Sequence, residues 1–172
     1  MPLMYTTTHI RTQSGIMVDV LNTDPDDIQI EDIAHALSHL CRFGGHTPHF
    51  YSVAQHSYLC AMMAPARLQL TALLHDASEA YLVDVPSPIK PILNNYKTIE
   101  EHLELVIAKR FNLIYPFPET IRDIDQAMLS QEWNELIMQR NSVRFNCWTS
   151  EHAKHMFLDM FYELKINPKY DK

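Results

Sequence analysis

The chain has 172 residues, 47% hydrophobic and 20% charged, which suits one domain with a substantial buried core and excludes a disordered chain. A formal net charge of -7 excludes the basic field that duplex nucleic acid requires. No apolar run approaches the ~20 residues of a membrane span. Cys41, Cys60 and Cys147 are odd in number and widely spaced, which reads as buried thiols in a reducing compartment. The polar, threonine-rich Met1 to Ile10 has no apolar leader core, so a cytoplasmic location is expected.

Thr8 to Leu21 alternates around Ser14-Gly15 and predicts a short β-hairpin. Asn22 to Asp27 is an acidic turn. From Ile30 to Cys41 the apolar positions Ile33, Leu37, Leu40 and Cys41 recur at helical spacing, and Gly44-Gly45 and Pro48 end that run. Ser52 with Gln55 is a capping-box signature for a helix from about Val53 to Met63, with His56 in its first turn. Pro65 suits the start of the next helix, which would carry Leu68, Leu70, Ala72, Leu73 and Leu74 up to His75-Asp76. Pro86 and Pro88 close that region. Further helices are expected over about Tyr96 to Phe111, from Pro118 through Asp125 to Ile137, and over about Ser150 to Leu164. With only three glycines and no internal repeat or linker, the expectation is a single all-α domain over 1–172, a compact helical bundle with a small N-terminal hairpin. The Met, Phe and Trp stripes read as core.

One constellation carries chemistry. His75-Asp76 sets a neutral nitrogen ligand beside an anionic oxygen ligand, the pairing a divalent ion accepts. His56 lies on the preceding helix, where antiparallel packing brings the two imidazoles together. Asp125 is a lone acid on an apolar stripe, and a buried carboxylate needs a partner or a metal; Arg122 on the same helix is an alternative partner. Two histidines and two carboxylates leave positions open for water and substrate on an ion that lowers the pKa of water and polarises a phosphoryl oxygen. Glu79, four residues after His75, shares its expected helix face and is placed for general acid or base work. Asp84 is placed to orient water or a sugar hydroxyl.

These residues resemble a known family. His56, His75-Asp76 and Asp125 match the H…HD…D signature of the HD-domain metal-dependent phosphohydrolases. The stretches SVAQHS (Ser52 to Ser57), LLHDASEAY (Leu73 to Tyr81) and DVPSPIK (Asp84 to Lys90) look like the 5′-deoxynucleotidase branch, with H-D-x-x-E followed by D-x-P-x-P-x-K. The segment from Leu40 to Ser57 looks like short phage and prophage HD proteins, a group that includes the dATP triphosphohydrolases of phages that replace adenine with 2-aminoadenine. The resemblance covers roughly residues 15 to 130. It implies His56, His75, Asp76 and Asp125 as ligands of a divalent ion (Zn, Co, Mn or Mg). It also implies Glu79 and Asp84 as catalytic acids, and Arg42 and Lys90 as phosphate-binding groups, with His46 and His49 beside them. The span between His56 and His75 leaves no room for an inserted specificity element, so Ile16, Met17 and Val18 of the hairpin and Pro86 are the candidates for a base pocket.

A triphosphate carries roughly three to four negative charges, and Arg42, His46, His49, Lys90 and Lys97 supply more cationic groups than a monophosphate requires. The expected activity is therefore hydrolysis of a deoxynucleoside triphosphate, dATP by resemblance, to deoxynucleoside and triphosphate. A dNMP nucleotidase, a hydrolase of cyclic or signalling nucleotides, and a non-catalytic nucleotide-binding module are the alternatives. Glu79 and Asp84 argue against the last, since a structural metal needs no water-activating acid. The expected partners are a nucleotide and a second copy of the chain, through the apolar C-terminal helix and exposed aromatics such as Tyr162, without nucleic acid or membrane.

Overall fold

A computed structural model describes residues 8–138 and 145–166. The hairpin forms as the alternation predicts: β1 (His9–Arg11) and β2 (Met17–Asp19) pair antiparallel with Ile10 opposite Val18. Gly15 turns it at φ 96°, a backbone region that residues with a Cβ rarely adopt. Asp32 of α1 (Ile30–His39) anchors the turn, accepting from the Ser14 amide at 2.7 Å and the Ser14 hydroxyl at 2.6 Å. Those two bonds satisfy an acid that is nearly fully buried.

The centre of the molecule is α2 (Val53–Met63), which packs against α1, α3 (Gln69–Leu73), α6 (Glu119–Glu132) and α7 (Ser150–Ile166). Its first turn is buried on every side, through Val53, Ala54, Gln55, His56 and Ser57, as expected of a helix enclosed by others. The Ser52 side chain accepts from the Gln55 amide at 3.2 Å, so half of the capping box forms. Gln55 does not return the bond. Its amide instead donates to the Asn146 carbonyl at 2.7 Å and accepts from the Trp148 amide at 2.9 Å, tying the approach to α7 onto the central helix.

The expected helix through His75-Asp76 is broken. A 3-10 turn (Ala66–Leu68) leads into α3, which ends at Leu73, and α4 (Glu79–Leu82) begins four residues after His75. Leu74 leaves the helical region at φ −108°, ψ 11°, and the amides of Ala77 and Glu79 bond carbonyls three residues back. The chain is thus wound into tight turns around His75 and Asp76, and Glu79 opens a new helix rather than sharing theirs. The helix over Tyr96–Phe111, α5, forms as predicted. The α6 pattern stops at Glu132 and passes into a π-helical turn, Trp133–Ile137. No helix among the described residues is long and apolar enough to cross a membrane.

Candidate metal centre

Three elements bring the four predicted ligands to one point. The first turn of α2 supplies His56, the turn after α3 supplies His75 and Asp76, and α6 supplies Asp125. His56 Nε2 lies 3.1 Å from Asp125 Oδ1 and 3.5 Å from Asp76 Oδ2. His75 Nε2 lies 3.3 Å from Asp76 Oδ1 and 3.9 Å from Asp125 Oδ1. The two imidazole centres are 5.4 Å apart. Asp125 pairs with the histidines; Arg122 forms no ion pair among the described residues.

The donor set fits a divalent ion. His75 Nδ1 donates to the Ala72 carbonyl at 2.7 Å, and His56 Nδ1 donates to Glu132 Oε1 at 2.6 Å. Each bond fixes the proton on Nδ1 and turns a lone pair on Nε2 toward Asp76 and Asp125. His75 Nε2 and Asp76 Oδ2 are buried with no hydrogen-bond partner, an expense that ligation would remove. Cys60, one turn beyond His56, adds a thiol 3.5 Å from His56 Nε2, and the ligating atoms of His56, Cys60, His75 and Asp125 lie within 4.8 Å of one another. The same acids attract protons to the imidazoles. Burial opposes charge on His75, but Asp76 and then Asp125 hold its pKa up at about 9. On His56, burial and Arg42 oppose the charge, and Glu132 with Asp125 overrides them and raises its pKa. Burial pushes Asp125 upward, but the two imidazoles, His56 first and then His75, hold it well below the usual carboxylate range.

Glu132 was not foreseen. It is fully buried, and an isolated carboxylate there would cost several kcal/mol. Three donors prevent that: His56, the Tyr51 hydroxyl at 2.7 Å and Arg42 Nη2 at 3.1 Å. Its sequence signal is spacing, seven residues after Asp125 and so two turns along the same helix face.

Arg42 stands between this network and a cavity of about 740 Å³. An isolated bridge between Cys41 and Ser52, with the Arg42 amide donating to the Tyr51 carbonyl at 2.9 Å, closes the 41–52 loop over the start of α2. Phe43, Gly44 and Gly45 all have positive φ, which makes the reversal possible. Arg42 Nη1 reaches within 4.0 Å of Asp76 and 3.9 Å of Asp84. The cavity is lined by Arg42, His46, Asp76, Glu79, Asp84, Pro86, Lys90 and Asp125, so eight of the predicted site residues share it. Burial pushes the Glu79 pKa well above the carboxylate range, with Asp76 and Asp84 adding to the effect, and its Oε2 is buried without a partner. Burial likewise raises Asp84. Burial and the neighbouring acids thus favour the protonated form of Glu79, which Lys90 opposes.

Other expectations fall elsewhere. Lys90 lines the cavity but binds Glu100 at 2.8 Å and lies 3.8 Å from Glu79, so its charge is already shared. His49 is exposed and off the cavity wall. Ile16, Met17 and Val18 do not line the cavity either. Val18 is fully buried in the core with Ile16 packed against it, because alternation turns both inward, and Met17 faces solvent. The hairpin is a structural strap, and of the base-pocket candidates only Pro86 lies at the cavity. Trp133, read as core, is 48% exposed at the cavity wall.

An all-α bundle that converges a His…His-Asp…Asp set on one point is the arrangement of HD-type proteins. The chain is 38% identical over 168 residues to the uncharacterized protein YfdR of Escherichia coli, covering 90% of this chain and 94% of that protein, and it belongs to the YfdR family. It is also 38% identical over 122 residues to an uncharacterized protein of Rhodobacter capsulatus (65% of this chain, 62% of that one). To the 5′-deoxynucleotidase YfbR of Escherichia coli it is 29% identical over 133 residues, 71% of this chain and 56% of the nucleotidase. No family model matches the chain.

Proposed function

We propose that this protein is a divalent-metal-dependent deoxynucleotide phosphohydrolase in which water attacks the α-phosphorus and the bond to the 5′-oxygen breaks. The observation that carries this reading is the pair of buried Nε2 atoms, on His56 and His75, meeting Asp76 and Asp125 at the wall of the cavity that holds Arg42 and Glu79. His56, His75, Asp76 and Asp125 would hold the ion, with Cys60 as a soft neighbour. When bound, such an ion supplies Lewis acidity at the phosphoryl oxygens and acidifies water.

The chain's own residues divide the remaining work. Arg42 Nη1 faces the cavity beside Asp76 and Asp84 and meets phosphate charge as it develops. Asp84 accepts a hydrogen bond from the attacking water and orients it. Glu79 gives its proton to the departing 5′-oxygen, so the deoxynucleoside leaves as a neutral alcohol. Glu132, through His56 and Arg42 together, fixes the ligand side and the phosphate side relative to each other.

The preferred substrate is a deoxynucleoside triphosphate, dATP first, yielding deoxynucleoside and triphosphate; the cavity volume and the cations at Arg42 and Lys90, with the His46 imidazole beside them, support it. Cleavage of dNMPs to deoxynucleoside and phosphate is the second reading, favoured by the similarity to YfbR and by the ion pairs that already engage Lys90. Both break the same bond. The test is a panel of dNTPs, dNMPs, rNTPs and cyclic nucleotides with Mn²⁺, Co²⁺, Zn²⁺ or Mg²⁺, with product analysis. Triphosphate released from dATP is the expected result and phosphate from dNMPs selects the second reading. Failure to cleave any member with any ion overturns both.

A further inference from the structure

The cavity wall carries two kinds of chemistry. Arg42 and the acids that converge on the histidines supply charge, and Phe43, Leu129, Trp133 and Ile137 supply apolar and aromatic surface. A ligand that uses both carries an anionic group on a flat apolar body.

Trp133 stands out on the apolar surface. It is the first residue of the π-helical turn that follows α6, and π-helical turns recur at functional sites. Among the described residues Trp133 is 48% exposed at a cavity wall, a large amphipathic ring open to a ligand. Its neighbour is Phe43, with ring centres 6.1 Å apart and planes tilted by 55°. The backbone places both rings relative to Arg42 and Glu132. Phe43 directly follows Arg42, Trp133 directly follows Glu132, and the Arg42–Glu132 ion pair at 3.1 Å clamps the two segments together. Phe43 is held at φ 56°, ψ 30°, a left-handed conformation that a side chain with a Cβ adopts at some cost and that persists where surrounding structure imposes it.

We infer that Trp133 is the platform on which the nucleobase stacks, with Phe43 bracing the indole from the side. The inference rests on the nucleotide reading proposed above. Stacking uses the π-face that every base presents, so selectivity at this platform is graded, purines above pyrimidines by ring area, rather than an absolute choice of one base. Trp133 is thus a specificity-determining residue remote from the metal ligands.

The chain contains two tryptophans, and Trp148 packs edge-on against Tyr58 and His152, away from the cavity wall. In a W148F background, Trp133 is the only indole emitter. The protein is titrated with dAMP and with 2-deoxyribose 5-phosphate in the presence of Mg²⁺, with calorimetry as a second readout of binding. The expected result is quenching of Trp133 by dAMP and none by the sugar phosphate at saturation. W133A should weaken dAMP roughly 5- to 150-fold, the loss of one base stack, and leave sugar-phosphate affinity unchanged, with W133F restoring most of the difference. Turnover at saturation should stay near wild type while KM rises. The inference is overturned if wild type fails to bind dAMP, if dAMP does not quench, or if W133A binds dAMP as wild type does or loses both ligands equally. Stacking without cleavage of any nucleotide would instead sink the proposed activity and leave the platform standing.

Discussion

Replacing Glu132 with glutamine tests how the buried network serves the metal centre. Oε1 accepts from His56 Nδ1 at 2.6 Å and from the Tyr51 hydroxyl at 2.7 Å, while Oε2 accepts from Arg42 at 3.1 Å. An amide of the same shape has one acceptor oxygen. It must turn its NH₂ either toward Arg42, setting donor against donor and leaving only the more distant Asp76 and Asp84 as counter-charges, or toward His56 and Tyr51. The second choice drives the imidazole proton from Nδ1 to Nε2 and removes the lone pair that faces the acids. Loss of such an outer partner typically costs 10- to 100-fold in metal affinity, about 1.4–2.7 kcal/mol. Breaking a buried ion pair costs roughly 3–5 kcal/mol of stability, at ~2–4 °C of Tm per kcal/mol for a chain of this size. The affinity is read by competition with a chromophoric zinc chelator and the stability by calorimetry. Tyr51→Phe, which keeps the carboxylate charge and its His56 and Arg42 partners, should alter metal affinity far less. If Glu132→Gln melts lower but binds zinc as tightly as wild type, Glu132 is only a structural ion-pair partner and the reasoning fails.

Glu79→Ala should keep its metal content and lose roughly 10²–10⁴-fold in turnover, as expected for a proton donor; metal lost in parallel with activity would make Glu79 a ligand. Metal uptake at neutral pH should release protons, because the pKa of His75 is held up at about 9 and that of His56 is also raised, and calorimetry in buffers of different ionisation enthalpy counts them. The sign follows for stability in the metal-free protein. The His75 contribution, roughly 3 kcal/mol, is fully present below its unfolded pKa of 6.5 and is lost as pH rises through about 9, so unfolding titrations should show stability falling over that window. Val83, a β-branched residue at φ 63°, ψ 162°, sits directly before Asp84. Val83→Gly should recover part of the ~1–3 kcal/mol such a conformation costs, raising Tm while lowering turnover through a looser Asp84; an unchanged Tm would show that no strain is stored there.

Elements whose signals are local were legible in the sequence. Ser52 and the apolar spacing after it define α2 to the residue, Tyr96 to Phe111 reads cleanly as α5, and Gly15 marks the hairpin turn. The meeting of His56, His75, Asp76 and Asp125 was legible because an acid on the apolar stripe of α6 and histidines on neighbouring elements need each other. What escaped depends on geometry that periodicity does not encode. The apolar run before His75 reads as one helix, yet successive three-residue bonds wind it into turns. Gln55 carries a capping-box signature but spends its side chain on Asn146 and Trp148. The short span between His56 and His75 directs the search for a base pocket to the hairpin, but apolar alternation with one face inward is equally the mark of a strap on the core. Glu132 and Trp133 are adjacent in sequence, yet Glu132 is fully buried in the polar network and Trp133 is exposed at the cavity wall.

Hydrolysis in ¹⁸O-labelled water, with the divalent ion that gives the fastest turnover and dATP and dAMP in parallel, tests the central claim most directly. Attack of water on the α-phosphorus puts the label in the released triphosphate or phosphate and leaves the deoxynucleoside unlabelled, and turnover stops when the ion is chelated. Label found in the deoxynucleoside, or hydrolysis that survives chelation and the His75→Ala substitution, would contradict the account.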